Sequence, residues 1–576
     1  MKKKLSAAIA AAMAVTAVGT TVSAAKVYSP DDLSSLNRFI LGNGTAEESM
    51  DINSDKNIDI FDMVAMRKAL TATSGEYKSS VIAPTAENVN MINRNVIIDG
   101  VTWLVQSGAA VEFNVNHAKS ASVIIKGDSA INNGDNYRPR YAVLVDGEII
   151  LNECLSVKEK EVELFSGDTP RNAVVKIIHL SEANNGPVGV SAVNVVSDSA
   201  VPVSPTAEKD LHIEFVGDSI TCAYGVEGKD QYENFKTTTE NFMKSYAYLT
   251  AEKLDAEYST ACYSGYGVIS AYSSDGSQNK SGLLGDCYDN IGNTDGYKIP
   301  WSHSDHPVDV VVVNLGTNDN TYVSKDYEKR GPEFAKAYTE LLKKIHKAQP
   351  KAYIICTVGT MGCAEMFPYI EEAVKSFKAD SDIGDKIIAY ASAQQDMNND
   401  GLGSDWHPSL TTHQKSAAVL SDKICTLIGK ESDQVGIDVA ADAEYKAVLS
   451  ESSGANAATY FSDFDKSFWV NVVTGGSKAE DVQTVVSPIG LKKNGKYKLT
   501  FKATAPEGSK LPVQIRSKDG SVVYYDDVFT SKGEKTPFEA EFTVSVNDPS
   551  AEFSLAFGGK DYSSVTLYEL HLVKTA

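Results

Sequence analysis

The sequence has 576 residues, several times the ~100–150 of a typical domain, so we expect several domains. Its 42% hydrophobic and 23% charged residues are ordinary for folded proteins and exclude wholesale disorder. Acidic residues outnumber basic ones by 76 to 54, a net charge of −22, which argues against nucleic acid or anionic membranes as partners. The seven cysteines show neither a disulfide framework nor a CxxC zinc pattern.

The N-terminus has the pattern of a secretory signal peptide. Three lysines at 2–4 precede an apolar run from Leu5 to about Val18, and small residues at 22–24 suit a cleavage site. A membrane anchor is the alternative, but the run is shorter than the ~20 apolar residues that a span needs, and no later stretch qualifies. We therefore assign residues 1–24 to a signal peptide and expect a secreted, extracellular protein without a membrane anchor.

Residues 26–73 contain a repeated helical pattern. One helix is predicted from Pro30 to Leu41, with Ser29 as N-cap, and a second runs from Asp59 to Leu70 with the same apolar spacing. A loop rich in oxygen ligands precedes the second helix, as Ca²⁺ requires. Its candidate ligands are Asp51, Asn53, Asp55, Asn57, Asp59 and Asp62.

A polar turn is the alternative for this loop, because Lys56 stands where calcium loops have glycine. The corresponding loop of the first repeat lacks carboxylates, so we expect one structural Ca²⁺ rather than two. The paired pattern resembles a dockerin, a small all-α calcium-binding module. That resemblance implies a cohesin of a scaffoldin as partner and association with a cellulosome.

The rest of the chain divides into two β-rich regions around an α/β region. Residues 74–87 have linker composition, and residues 88–200 contain short alternating strands separated by turns, which predicts a β-sandwich. Residues 210–430 alternate continuous Val/Ile runs with helical stretches, which predicts a parallel sheet with helices on both faces. Residues 197–209 are a second predicted linker, and residues 440–576 return to β-patterning, which predicts a second sandwich.

The α/β region contains chemically useful residues at predicted strand ends. The triplet Gly217-Asp218-Ser219 follows its first strand, Asn318 follows a later strand, and Gly265 follows an apolar stretch between them. His407 stands before the last helix, with Asp405 two places earlier. In open α/β sheets, residues at the carboxyl ends of the strands form the functional site.

These residue types suit ester hydrolysis without a cofactor. Ser219 is the predicted nucleophile and His407 the general base, and Asp405 could orient the imidazole. The backbone N–H groups of Ser219 and Gly265, with the Asn318 amide, are the predicted oxyanion donors.

Other histidines offer alternatives to this scheme. His413 is the second candidate for the base, although it lies inside the last helix. His303 and His306 could be metal ligands, but no matching carboxylate or histidine cluster accompanies them, which favours a solvated loop.

These blocks resemble the SGNH hydrolases over about residues 211–430. The resemblance implies a flavodoxin-like three-layer catalytic domain. With the preceding domain, which resembles a jelly roll, and residues 217–225, the sequence is similar to carbohydrate esterase family two. That family removes acetyl groups from plant polysaccharides. In SGNH hydrolases the acid usually stands three residues before the histidine, whereas here the gap is two, and some members use a Ser-His dyad, so the role of Asp405 stays open.

We therefore expect a monomeric acetylesterase acting on acetylated xylan or glucomannan. A non-catalytic polysaccharide-binding protein and a lipase-type SGNH esterase are the alternatives; an intact Ser219, Asn318 and His407 set argues against the first. In the tail, aromatic residues near Trp469 suggest a carbohydrate-binding module, although aromatic residues on strands are more often core.

Overall fold

The computed structural model describes residues 30–40, 50–52, 57–70, 73–441, 443–462 and 466–576. The predicted signal peptide and part of the predicted calcium loop lie outside these residues. In the part of the chain described here, no helix combines the length and apolar character needed to cross a bilayer. All seven cysteines are free thiols, so no disulfide constrains the fold.

The N-terminal segment forms a small helical pair. Helices α1 (Pro30–Ile40) and α2 (Ile60–Leu70) lie close to the two predicted ranges. Their contact buries Leu36 and Met66, together with Met50 from the segment between the helices. The matched apolar positions of the repeat therefore form a common core.

The first β domain is a ten-stranded antiparallel sheet whose core contains Phe113, Val123 and Ile177. Strands β5 and β8 run through its middle and carry bulges where the register shifts. Its strands are β1 (Thr73–Ile82), β2 (Asn90–Ile92), β3 (Asn95–Ile98), β4 (Val101–Leu104), β5 (Ala110–Gly127), β6 (Arg140–Val145), β7 (Glu148–Cys154), β8 (Glu159–His179), β9 (Val188–Ser199) and β10 (Val203–Pro205). The order is β3-β4-β9-β5-β8-β6-β7, with β1 on β9 and with β2 and β10 on β5.

Both predicted linkers contain strands, which corrects the boundaries drawn from composition. Strand β1 occupies most of 74–87 and pairs with β9, and β10 lies within 197–209 and pairs with β5. Strand β1 is rich in serine and largely exposed, so main-chain hydrogen bonds hold it rather than side-chain burial. A strand is recognised in the sequence by its apolar, buried side chains. This exposed, serine-rich strand has few of them, so its composition predicted a linker.

The α/β domain is a parallel five-stranded sheet with helices on both faces, as predicted. Its strands are β11 (Leu211–Gly217), β12 (Ala256–Cys262), β13 (Val310–Asn314), β14 (Tyr353–Thr357) and β15 (Ile387–Ala389), in the order β12-β11-β13-β14-β15. Its helices are α3 (Ser219–Cys222), α4 (Tyr246–Lys253), α5 (Asn320–Val323), α6 (Tyr327–Ala348), α7 (Phe367–Asp380) and α8 (Leu410–Leu427). Along β13, Val311 and Val313 pack with α6 and α7, and Val310 and Val312 pack with α4 and α8.

The first β domain and the α/β domain share one buried interface. Ile178 and Leu180, from the end of β8 and the residue just after it, join the core around Phe215. The fully buried guanidinium of Arg94 lies 2.8 Å from Glu214 on β11 and donates to the Tyr288 carbonyl. A buried charge removed from its partner is strongly destabilising, so this ion pair ties the two domains in one arrangement.

The C-terminal β domain is a sandwich of two five-stranded antiparallel sheets, as predicted. One sheet has the order β16-β19-β24-β21-β22 and the other β17-β18-β25-β20-β23. The strands are β16 (Glu444–Leu449), β17 (Asn456–Ser462), β18 (Ser467–Thr474), β19 (Val482–Leu491), β20 (Lys496–Thr504), β21 (Lys510–Arg516), β22 (Val523–Thr530), β23 (Thr536–Thr543), β24 (Asp548–Ala556) and β25 (Ser563–Lys574). Phe468 is buried in the core, whereas Trp469 is 40% exposed.

Candidate active site

Three of the predicted site residues stand beyond the ends of three neighbouring strands. In the parallel sheet, Gly217 at the end of β11 pairs with Cys262 on one side and Asn314 on the other. Ser219 follows the first of these strand ends, Gly265 the second and Asn318 the third. The sheet therefore brings the three residues to one edge.

A tight turn places Ser219 at the first position of α3. A Cβ on Gly217 would lie 2.0 Å from Thr221 Oγ1, so only glycine allows the helix to start this close to the strand. The Asp218 carboxylate caps the helix by accepting the Ile220 N–H at 3.0 Å. The first N–H groups of a helix have no partner within it, which leaves that of Ser219 suited to an anion.

The imidazole of His407 contacts the hydroxyl of Ser219. Its Nε2 lies 2.8 Å from Ser219 Oγ, and its Nδ1 lies 3.1 Å from the backbone carbonyl oxygen of Asp405. A carbonyl only accepts hydrogen bonds, so Nδ1 carries the proton and Nε2 is free to accept the serine hydroxyl. This tautomer is the one in which His407 acts as a general base.

The structure corrects the predicted role of the Asp405 side chain. Its carboxylate accepts the Tyr224 hydroxyl at 2.9 Å and the Phe235 N–H at 3.0 Å, whereas its backbone carbonyl bonds the imidazole. Asp405 has a φ of +49°, and this left-handed conformation turns the carbonyl toward His407. Asp405, two residues before His407, therefore orients the imidazole through its main-chain carbonyl and not through its carboxylate.

Sequence reasoning missed Tyr224. Its ring lies 4.2 Å from that of His407 and stacks on Phe235 at 4.1 Å, measured between ring centroids. Its hydroxyl is the group that the Asp405 carboxylate holds. Tyr224 stands five residues after the nucleophile, within the 217–225 block, but nothing in its residue type indicated this contact.

Burial is the main cause that lowers the pKa of His407, to about 4. Hydrogen bonds from the imidazole to backbone carbonyls of Asp405 and Ser404 act in the opposite direction. The imidazole is therefore neutral, as a general base must be, well below neutral pH.

Gly265 and Asn318 follow the two strands on either side of β11, and their role as oxyanion donors stays a prediction. Gly265 has a φ of +81°, a conformation that favours glycine. The Asn318 amide donates to the Tyr266 carbonyl at 2.8 Å, which fixes its position beside this loop. Its second N–H makes only a long contact of 3.4 Å with Asp218 Oδ2 and is the one available to an oxyanion.

A buried carboxylate that sequence reasoning did not use fixes the chain after Gly265. Asp319 accepts the backbone N–H groups of Val268, Ile269 and Ser270 at 2.8–3.0 Å. Burial raises its pKa to about 6, and burial likewise raises that of Asp218 to about 7. The order Asn318-Asp319 in the sequence is the only signal that could have suggested this role.

Exposed aromatic residues adjoin two of the site residues. Trp406, next to His407, is 48% exposed and makes an edge contact with Tyr232. Tyr272 is 57% exposed and donates its N–H to the Gly265 carbonyl. Aromatic faces at a site edge suit flat, weakly polar ligand surfaces such as those of sugar rings.

The other histidine candidates lie in different surroundings. His413 is buried in α8 and accepts the Tyr246 N–H at 3.0 Å, which excludes Nδ1 from acting as a base. His303 stacks on Tyr288, and His306 stacks on Trp301. Within the described residues, no group of three or more His, Cys, Asp or Glu side chains is arranged to hold a metal.

The predicted calcium loop is described in part. Asn53 and Asp55 lie outside the described residues. The buried Asp62 carboxylate accepts the Ile52 N–H at 2.7 Å and the Asp59 N–H at 2.8 Å. Asp62 thus draws the two ends of the loop together, and the oxygen ligands present fit Ca²⁺ in kind.

Two segments match protein families. Residues 215–415 match the GDSL-like Lipase/Acylhydrolase family, and residues 454–563 match a Carbohydrate binding domain family. The α/β domain is therefore similar to this hydrolase family, and the C-terminal β domain is similar to this carbohydrate-binding family. The first β domain lies outside both matched segments.

The chain is also similar to individual proteins. It is 32% identical to the Cellulase/esterase CelE of Acetivibrio thermocellus over 332 residues, which is 56% of this chain and 37% of that protein. It is 25% identical to an Acetylxylan esterase / glucomannan deacetylase of Cellvibrio japonicus, over 49% of this chain and 75% of the relative. The structure of a family two carbohydrate esterase from Clostridium thermocellum in complex with cellohexaose aligns with a TM-score of 0.51 and 28% identity, over 59% of this chain and 99% of that one. The chain thus spans little more than a third of the length of CelE.

We expect the Asp405→Asn variant to lose less than about 10-fold in kcat on an aryl acetate, because an asparagine oxygen can still accept from Tyr224 and Phe235. If the carboxylate oriented the imidazole, the loss would be on the order of 10⁴-fold. Steady-state hydrolysis of 4-nitrophenyl acetate checks this. A loss above about 10³-fold would contradict the assignment to the main-chain carbonyl.

We also expect kcat/KM to be flat above about pH 5 and to fall at lower pH with an apparent pKa of about 4. The base must be neutral, and its pKa is lowered in the folded state, so activity is lost only when the pH falls through that value. A rate profile on the same ester, with circular dichroism at each pH to confirm folding, tests this. An acidic limb near pH 6.5 would show an unperturbed histidine.

Proposed function

We propose that the protein is a secreted carbohydrate esterase that removes O-acetyl groups from plant cell-wall polysaccharides, acetylated xylan or glucomannan. The 2.8 Å contact between His407 Nε2 and Ser219 Oγ at the sheet edge carries this proposal. The tautomer imposed by the Asp405 carbonyl and the names of the relatives support it.

The geometry suits a two-step acyl transfer. Ser219 Oγ attacks the acetyl carbonyl carbon while His407 Nε2 takes the hydroxyl proton. The negative charge on the carbonyl oxygen is stabilised by the N–H groups of Ser219 and Gly265 and by the Asn318 amide. Nε2 then returns the proton to the sugar oxygen, which leaves. Water, deprotonated by His407, hydrolyses the acetyl-enzyme to acetate and restores Ser219.

Two observations favour a sugar ester over a lipid ester, and a third favours catalysis over a binding role without chemistry. The aromatic rim of Tyr232, Tyr272 and Trp406 offers ring faces to a sugar, and the C-terminal domain matches a carbohydrate-binding family. A binding protein needs neither a nucleophile nor a base in contact, so the Ser219–His407 pair argues for catalysis.

We expect Ser219→Ala and His407→Ala each to lower the kcat of acetate release by about 10⁶-fold, with the double variant little worse, since the pair acts as a unit. Asn318→Ala should cost about 10²–10³-fold, the usual loss of one oxyanion donor. Acetate released from acetylated xylan and glucomannan is the measurement.

The first β domain offers a matched control, because Gly127-Asp128-Ser129 repeats the catalytic triplet there. Asp128 caps a short helix through the Ala130 N–H, as Asp218 caps α3. Ser129→Ala should keep full activity. If Ser219→Ala retained more than about a tenth of the wild-type kcat, the nucleophile assignment would be wrong.

The C-terminal β domain is proposed to bind the polysaccharide and to leave the chemistry untouched. Its two outer faces differ. On one sheet the exposed Tyr460 and Trp469 pair directly across β17 and β18. On the other sheet Arg516 donates to Glu552 and Gln483, which are both nearly buried, and the three side chains form a polar network. Aromatic rings stack on sugars, and a polar network bonds hydroxyls, so each face can serve as a binding face.

Affinity electrophoresis of the full chain in gels containing xylan, mannan or cellulose distinguishes the two faces. We expect the gels to retain the wild type. Only one of the two variants, Trp469→Ala or Arg516→Ala, should lose retention, and that variant identifies the binding face. Each variant is the control for the other, and both should hydrolyse 4-nitrophenyl acetate at the wild-type rate. The absence of wild-type retention in all three gels would leave the domain a structural role.

We further propose that residues 26–73 form a dockerin-like module that binds one Ca²⁺ and a scaffoldin cohesin, which would attach the enzyme to a cellulosome. Asp51, Asn57, Asp59 and Asp62 would hold the ion with Asn53 and Asp55. The repeated helices around the shared core of Leu36 and Met66 support this proposal. The catalytic scheme uses only side-chain and main-chain groups of the chain.

We expect calorimetric titration of the full chain to give one equivalent of Ca²⁺, because only the second repeat has carboxylates in its loop. Asp59→Ala should abolish this binding and leave acetate release unchanged. Stoichiometries of two or zero would each contradict the single-site proposal.

A further inference from the structure

The chain around Gly265 is held from outside the α/β domain. Residues 180–187, which we call the bridging segment, connect β8 to β9 of the first β domain. The Leu180 carbonyl accepts the Phe242 N–H at 3.0 Å, and Ala183 is buried in the α/β core with Val216 and Ala261. The segment is thus anchored inside the neighbouring domain.

Two hydrogen-bonded routes run from the bridging segment to the two neighbours of Gly265. The Glu182 carboxylate, 3% exposed, accepts the backbone N–H of Ser264 at 2.8 Å. Asn184 Oδ1 accepts from Asn293 at 2.7 Å, and the same Asn293 amide donates to the Tyr266 hydroxyl at 2.9 Å. Gly265 therefore stands between two residues that the first β domain holds.

Glu182 itself is fixed on two sides. Its carboxylate also accepts the Asn184 amide at 3.0 Å, and its own N–H donates to the fully buried carboxylate of Glu240 at 3.1 Å. A buried carboxylate that accepts several hydrogen bonds is held in one position. It therefore also fixes the position of the main-chain N–H group that donates to it.

We propose that Glu182 of the first β domain is a positioning residue of the esterase, which aims the Gly265 N–H at the oxyanion by holding Ser264. This inference rests on the proposed esterase function. It assigns part of the catalytic machinery to a domain outside residues 215–415, the segment that matches the hydrolase family. The active unit is then the two domains together.

Loss of the contact between Glu182 and Ser264 should weaken the stabilisation of the transition state and leave substrate binding unchanged. A carbonyl oxygen gains its negative charge only when Ser219 attacks, so a misdirected N–H lowers kcat and leaves KM nearly unchanged. Burial raises the pKa of Glu182, which disfavours a negative charge beside the oxyanion. A neutral side chain of the same shape should therefore serve as well.

Three variants of the full chain test the proposal on 4-nitrophenyl acetate. Glu182→Ala should lower kcat about 10²-fold, with KM within about 3-fold of the wild type. Glu182→Gln keeps an acceptor oxygen for Ser264 and should restore kcat to within about 3-fold. Asn184→Ala removes an exposed side chain, breaks the second route and removes one of the hydrogen bonds that fix Glu182, and should lower kcat about 10-fold.

Asn90→Ala is the matched control. Asn90 of the first β domain donates to Glu257 at 2.9 Å, near the start of the same strand, β12, whose far end leads to Ser264. This variant loses a contact between the same two domains but has no route to Gly265, so its kcat should equal that of the wild type.

The outcomes separate the possibilities. A wild-type kcat in Glu182→Ala would overturn the proposal, as would an equal fall in Glu182→Gln or in Asn90→Ala. If Glu182→Ala does not fold, as its melting curve would show, Asn184→Ala decides, and a wild-type kcat there overturns the proposal. Failure of the wild type to hydrolyse the ester would count against the esterase function itself.

Discussion

The active site depends on the parallel pairing of β12, β11 and β13. Parallel strands end at the same edge of a sheet, so the residues after Gly217, Cys262 and Asn314 meet there although far apart in sequence. The buried valines of β13 pack against helices on both faces and hold that edge rigid. The nucleophile and the candidate oxyanion donors are therefore placed by the core of the domain.

The base is held differently. His407 comes from a loop before α8, and its orientation depends on the main-chain conformation at Asp405, which lies in the left-handed region. Such a conformation costs free energy unless its surroundings secure it. Here the Asp405 carboxylate bonds Tyr224 and Phe235, and the Tyr224 ring in turn packs on the imidazole. The aspartate thus supports the base through its main chain and its neighbours.

The first β domain makes buried contacts with the α/β domain and with the loop of its active site. Arg94 and Glu214 form a fully buried ion pair across the interface, and the bridging segment reaches the loop that contains Gly265. Buried polar contacts are satisfied in one relative position only, so they favour a single domain geometry. The C-terminal domain has its own separate core, which suits an independent role in binding.

Sequence patterns alone determined the order of the domains, the parallel α/β sheet and the pairing of Ser219 with His407. Periodic burial and strand-end motifs are local signals, and each is visible within a few residues of sequence. Only the tertiary structure decided that the carbonyl of Asp405, rather than its carboxylate, bonds His407, and that β1 and β10 occupy the predicted linkers. It also revealed Tyr224, Asp319 and Glu182. These contacts depend on a backbone torsion, on main-chain pairing and on residues brought together across the fold, and none of these follows from residue type.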